Sequence, residues 1–151
     1  MGPGGINGVI AMFRILLLVF VLAGCAPLPP SPQDIEAKRF EPVAGKAVIY
    51  LVRDWPDISR EAATVMLDDH MMGSTYPGTY FRWVVEPGLH QIRGFAGDAG
   101  AMSLSVAPDR MYFVQQSYTR GFTGFGHSFF RPVPEPYGRG AVLRGELAGG
   151  R

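Results

Sequence analysis

Pro87-Gly88 separates two runs of strand-forming residues, and no other pair in the chain restricts the fold as tightly. Proline pre-sets φ at the first central position of a turn and glycine accepts positive φ at the second, so a type II turn is expected here. Before it, residues 79–86 divide into Thr79, Phe81, Trp83 and Val85 on one face and Tyr80, Arg82, Val84 and Glu86 on the other. One side of that strand is strongly apolar. After the turn, residues 89–96 are expected to return as the neighbouring strand.

The same pattern recurs along the chain. Residues 47–52 are an unbroken β-prone run and read as a central strand. Residues 62–67 form a second strand, Asp68-Asp69-His70 a turn, and residues 71–74 a short hairpin partner. Met102, Leu104 and Val106 alternate with Ala101, Ser103 and Ser105. Pro108-Asp109 turns into a strand over 111–118, and 141–147 is expected to close the sheet. No helix-period segment of useful length follows residue 45, although 34–40 suits a helical turn or two. With 20 Gly and 13 Pro in 151 residues, the chain reads as all-β: a small antiparallel β-sandwich of about seven strands, or a small barrel. The length is that of one domain. A composition 47% hydrophobic and 18% charged excludes a long disordered chain, and a net charge of +1 excludes a basic nucleic-acid footprint.

The N-terminal region reads as an address. Residues 15–23 are nine apolar residues without a break, preceded by Arg14. As a helix they span about 14 Å against a hydrocarbon core of about 30 Å, too short to cross a membrane but suited to the h-region of a secretory signal. Leu22-Ala23-Gly24-Cys25 follows, and this tetrapeptide resembles the bacterial lipobox. The resemblance implies that Leu22, Ala23 and Gly24 are read by a dedicated peptidase. It also implies that the thiol of Cys25, the one cysteine, receives a diacylglyceryl group and that its new α-amino group is acylated, commonly as palmitate. Several chains would make attachment effectively permanent. The other reading is an ordinary secreted protein with a structural cysteine. Ala26, rather than Asp, after the cysteine favours the periplasmic face of the outer membrane by resemblance to the enterobacterial sorting rule, with the inner membrane as the alternative. Met12 is a more normal start than the uncharged leader 1–11. The expected division is therefore a signal over 1–24, a lipidated cysteine and Pro-rich tether over 25–45, and the β-domain over 46–151. Past the signal, 13 basic side chains balance 13 acidic ones.

Several short segments, in order, carry a wider resemblance: Gly45-Lys46-Ala47-Val48-Ile49-Tyr50, Val65-Met66-Leu67-Asp68, Gly73, Thr79-Tyr80-Phe81, Glu86-Pro87-Gly88-Leu89-His90, Met111-Tyr112-Phe113-Val114 and Gly138-Arg139. Together with the lipobox they resemble the uncharacterised prokaryotic lipoproteins grouped as domain of unknown function 2846. Residues 65–92 are also similar to the β-sandwich modules named for a Pro-Glu-Gly-Ala motif, although the turn here reads Glu-Pro-Gly-Leu. The resemblance implies an envelope lipoprotein with a β-sandwich body and carries no catalytic residues.

Candidate chemistry is sparse. His70, His90 and His127 are not spaced as metal ligands; His70 beside Asp68 and Asp69 reads as a solvated turn, and His90 as a strand histidine. No serine lies in a Gly-x-Ser-x-Gly elbow, and Ser128 beside His127 is adjacency rather than a triad. No metal site, cofactor or nucleic-acid partner is expected. The unusual segment is 121–131, with Phe122, Phe125, Phe129, Phe130 and Arg131 among three glycines. It suits neither a strand nor a helix. Its rings either fold back over the core or form an aromatic loop that docks a partner or dips into lipid headgroups. The expected function is a non-catalytic envelope lipoprotein that uses its sandwich for protein–protein interaction or envelope assembly. A peptidoglycan- or polysaccharide-binding module is the alternative, needing Tyr50, Tyr80, Trp83 or Tyr112 exposed in a row. An envelope hydrolase comes third.

Overall fold

The computed structural model describes residues 29–122 and 124–149; Leu22, Ala23, Gly24 and Cys25 lie outside them. Helix α1 (Pro32–Ala37) is followed by strands β1 (Ala47–Arg53), β2 (Ala63–Leu67), β3 (His70–Thr75), β4 (Thr79–Val85), β5 (Gly88–Gly94), β6 (Ala101–Val106), β7 (Arg110–Arg120) and β8 (Gly126–Pro132). Helix α2 (Glu135–Arg144) and the two-residue β9 (Glu146–Leu147) complete the order. Two sheets pack face to face as an all-β sandwich, one ordered β8-β7-β1-β4-β9 and the other β3-β2-β5-β6. Most pairings are antiparallel, but β1–β7 and β4–β9 are parallel.

Alternation fixes what faces inward. Ala47, Ile49 and Leu51 of β1 meet Phe81 and Trp83 of β4, Val65 and Leu67 of β2, Ile92 of β5, Val106 of β6 and Val114 of β7. The opposite face of β1 is covered too. Val48, Tyr50 and Val52 pack with Tyr80 and Phe113 beneath Ala141 and Val142 of α2 and Ala37 and Phe40 of the tether. Every residue of β1 is therefore buried, which is why its sequence is an unbroken apolar run rather than an alternating one.

Four expectations are corrected. Pro87-Gly88 does not close a hairpin: β4 and β5 lie in different sheets, so the turn is a corner that carries the chain across the sandwich, with Gly88 at φ 146°. Residues 141–147 are not one strand: α2 takes the segment up to Arg144, and only Glu146 and Leu147 join the sheet. α2 is also a helix after residue 45, formed because Ala141 and Val142 find an apolar face to cover. Finally, 126–132 is a regular edge strand paired with β7 from Arg120↔Gly126 to Val114↔Pro132. The Asp68-Asp69 turn is as expected, with both residues at positive φ between the paired Leu67 and His70.

Residues 31–40 belong to the body rather than hanging free of it. Asp34 is buried, and its Oδ1 accepts hydrogen bonds from the Tyr80 hydroxyl and the Leu147 N–H, both at 2.8 Å. Its Oδ2 lies 2.8 Å from Lys38 Nζ. Burial favours the neutral acid, but the hydrogen bonds from Lys38, Tyr80 and Leu147 outweigh it and hold the carboxyl below its ordinary value of 3.8. A carboxyl depressed on folding contributes stability that is full above that ordinary value and is lost as the pH falls through the depressed one. Asp34→Ala is expected to cost about 1–3 kcal/mol at pH 7 by leaving buried donors unpaired, and the difference from the parent should shrink in acid. Urea unfolding at pH 7 and pH 3 measures both.

Candidate functional site

Because β1 and β7 are parallel and β4 runs against β1, the loops 54–62, 76–78 and 121–125 leave the sandwich at one end. The antiparallel β2–β5 pairing places 95–100 at that same end. The opposite end holds the turns at 68–69, 86–87 and 107–109.

A buried cation shapes the loop end. Arg53, with 0% exposure, closes β1. Its Nε donates to Asp57 Oδ2 at 2.5 Å, its Nη1 to the carbonyls of Glu61 and Thr75, and its Nη2 to the carbonyl of Ser59. The guanidinium also lies 5.4 Å from the Tyr118 ring centroid, while the Tyr118 N–H donates to Asp57. One side chain thus fixes the 54–62 loop against β3 and β7. Gly78 completes the arrangement: its φ is +86°, and a Cβ there would collide with the Trp55 indole.

A polar chain runs beside it. Thr75 Oγ1 donates to Gln116 Oε1 at 2.7 Å, Gln116 Nε2 donates to Ser128 Oγ at 3.1 Å, and Ser128 Oγ donates to Asp98 Oδ2. Asp98 Oδ1 accepts the N–H groups of Gly100 and Ser128 at 2.8 and 2.7 Å. This ties the 95–100 loop to β8, joined by Ala99 N–H to the Gly126 carbonyl. Between the loops lies an open cleft of about 220 Å³, with Thr64, Phe95, Asp98, Tyr118 and Arg120 in its lining.

The expected site residues divide at this end. Phe130 points inward and packs against the core, and Ser128 is buried beside it. Phe122 is fully exposed, Phe125 is 66% exposed and lies against Gly97, and Phe129 is half exposed. Arg131 is exposed and donates to Gln115. Folding back and projecting outward are therefore both present, on alternate positions of one hairpin. Four residues that the sequence did not single out join the outward set: Trp55, Ile58, Tyr76 and Phe95 are exposed on the neighbouring loops. Five of the seven exposed aromatic residues among those described lie on these four loops. The row required for sugar stacking is not assembled, since Tyr50, Tyr80 and Trp83 are buried in the two cores.

The histidines lie elsewhere or act differently. His70 Nδ1 sits 2.8 Å from the Asp68 carbonyl oxygen, and His127 packs edge-on against Phe129. His90 bridges Asp68 Oδ2 and the Glu86 carbonyl at the far end. Burial pulls its pKa down, but the Asp68 hydrogen bond and the Glu86 carbonyl more than reverse this and raise it. That ion pair stabilises the fold below His90's raised pKa and fades as the pH rises through it. Among the described residues no group of three or more His, Cys, Asp and Glu could hold a metal ion. No described helix is long and apolar enough to cross a membrane.

No protein-family model matches the chain, and a search of curated proteins finds no similar one.

Removing Arg53 would strand Asp57 in the interior. Arg53→Met is expected to cost about 3–5 kcal/mol, and pairing it with Asp57→Leu to recover part of that loss, because an unpaired buried charge is worse than none. Urea midpoints of the parent and the two variants measure this.

Proposed function

We propose that this is a lipid-anchored protein of the bacterial envelope, acylated at Cys25, whose β-sandwich acts without catalysis as a docking or assembly module. The observation that carries the reading is the nine-residue apolar run 15–23 running into Leu22-Ala23-Gly24-Cys25, directly before a Pro-rich tether and a β-domain. The outer membrane, periplasmic face, is the proposed location, on the strength of Ala26.

The chemistry of the loop end supports docking over catalysis. The carboxylate in the cleft lining, Asp98, is committed to two backbone N–H groups and the Ser128 hydroxyl. Ser128 in turn faces Gln116 and Asp98, so no imidazole is placed to take its proton. What this end offers to solvent is ring surface: Phe122, Phe125 and Phe95, with Trp55 and Tyr76 beside them. Exposed aromatic side chains on a rigid frame are the usual material of binding surfaces. The likeness to uncharacterised prokaryotic lipoproteins agrees with this reading and adds no activity to it.

Cys25→Ser is the direct test of the anchor. The variant is expected to lose metabolic labelling by palmitate and to accumulate as an uncleaved precursor, read by intact mass and membrane fractionation. A normally processed, membrane-bound Cys25→Ser protein would contradict the proposal.

A further inference from the structure

We propose that the aromatic loop end rests in the lipid interface of the same membrane that holds the anchor, so that Trp55, Tyr76, Phe95, Phe122 and Phe125 form a second, protein-borne membrane contact. This rests on the acylation of Cys25 proposed above and names what the docking surface touches.

The first argument is where the tether arrives. α1 begins beside the loop end: Asp34 binds Leu147 N–H and Tyr80, and the adjacent Glu146 N–H donates to the Gly78 carbonyl at 2.9 Å, in the loop that carries Tyr76 and abuts Trp55. From there the chain leads away. The Ala37 carbonyl accepts from the Tyr50 hydroxyl, the Glu41 carbonyl faces Arg82, and Gly45 N–H reaches Asp109 at the far end. The N-terminal side of α1 thus lies at the aromatic end.

The second argument is reach. Four residue steps separate Cys25 from Pro29, the first described residue. They span at most about 14 Å, even fully extended. Tyr76 closes a turn on Thr79, its carbonyl accepting the Thr79 N–H at 3.0 Å, so its Cα lies within about 11 Å of that of Tyr80. An anchor on so short a lead holds the loop end, not the far end, against the bilayer.

The third argument is the chemistry displayed. Trp, Tyr and Phe are the residues that settle at the boundary of headgroups and acyl chains. Among the described residues, the opposite end exposes Met71, Met72 and Leu89 but no exposed aromatic ring. Repulsion of anionic headgroups is reduced, because three acids at this end are each paired with a guanidinium: Asp54 with Arg144, Asp57 with Arg53 and Glu61 with Arg120. Arg60 lies over the Trp55 ring, 5.8 Å from its centroid, where a guanidinium suits a phosphate.

Tryptophan fluorescence tests the proposal. Trp83 is buried in the core and Trp55 is exposed at the loop end, so a quencher in the lipid reads Trp55. The full mature protein, its acylation established by intact mass, is reconstituted into phosphatidylethanolamine–phosphatidylglycerol vesicles with or without lipids brominated near the top of the acyl chains. Partial quenching and a blue shift are expected with bromolipid, absent in Trp55→Phe and weakened in Phe122→Ser/Phe125→Ser. Urea midpoints show that these exposed-site variants remain folded. Acylated protein with unquenched Trp55 would overturn the membrane contact while leaving the anchor intact. So would a Trp55 shift that follows protein concentration rather than lipid, which would assign the surface to a second copy. An unacylated Cys25 would overturn the anchor, and with it this inference.

Discussion

The candidate site depends on a single buried guanidinium. Arg53 has no exposed surface and satisfies its donors on Asp57 and three carbonyls. A charge so placed is costly to desolvate and therefore tolerates few alternative arrangements of its partners. The consequence is a nine-residue connection, 54–62, held in one shape against the end of the sandwich, with Trp55 and Ile58 outside and Asp57 inside. The parallel placement of β7 beside β1 then brings Tyr118 over the cation and the 121–125 loop next to it. Rigid backbone and exposed rings occur together because the polar groups beneath them are fully used.

The two ends of the molecule differ in kind. One is closed by short turns, with the His90–Asp68 and Lys46–Glu86 ion pairs across them. The other has longer loops, an internal polar network and aromatic tips. The first helix latches the tether beside the second end through Asp34, so the covalent lead and the ring-bearing loops point in one direction. That asymmetry gives the proposed anchor and the proposed membrane contact a common geometry.

Much of the body was legible in the sequence, and the misses have physical causes. Alternation placed Phe81 and Trp83 in the core and Met102, Leu104 and Val106 facing inward, because a pleated strand has only two faces. Pro87-Gly88 marked a change of direction but could not say in which sheet the next strand would pair. α2 was missed because Pro136, Gly138 and Gly140 give it poor intrinsic propensity; it forms on an apolar face that exists only after folding, and Gly138 is required there because a Cβ would meet the Phe113 ring. The 121–131 segment offered its phenylalanines to inspection but not their division, since inward Phe130 and outward Phe129 follow from pairing with β7. Trp55, Tyr76 and Phe95 could not be grouped with them, as only the topology brings four separate loops to one end.

Placing a photo-crosslinking amino acid at Phe125, and at Leu89 on the opposite end, in the protein in its native envelope tests the account most directly. Lipid adducts at 125 and none at 89 are the predicted result. A single recurrent protein adduct at 125, or lipid adducts at 89, would contradict the membrane contact.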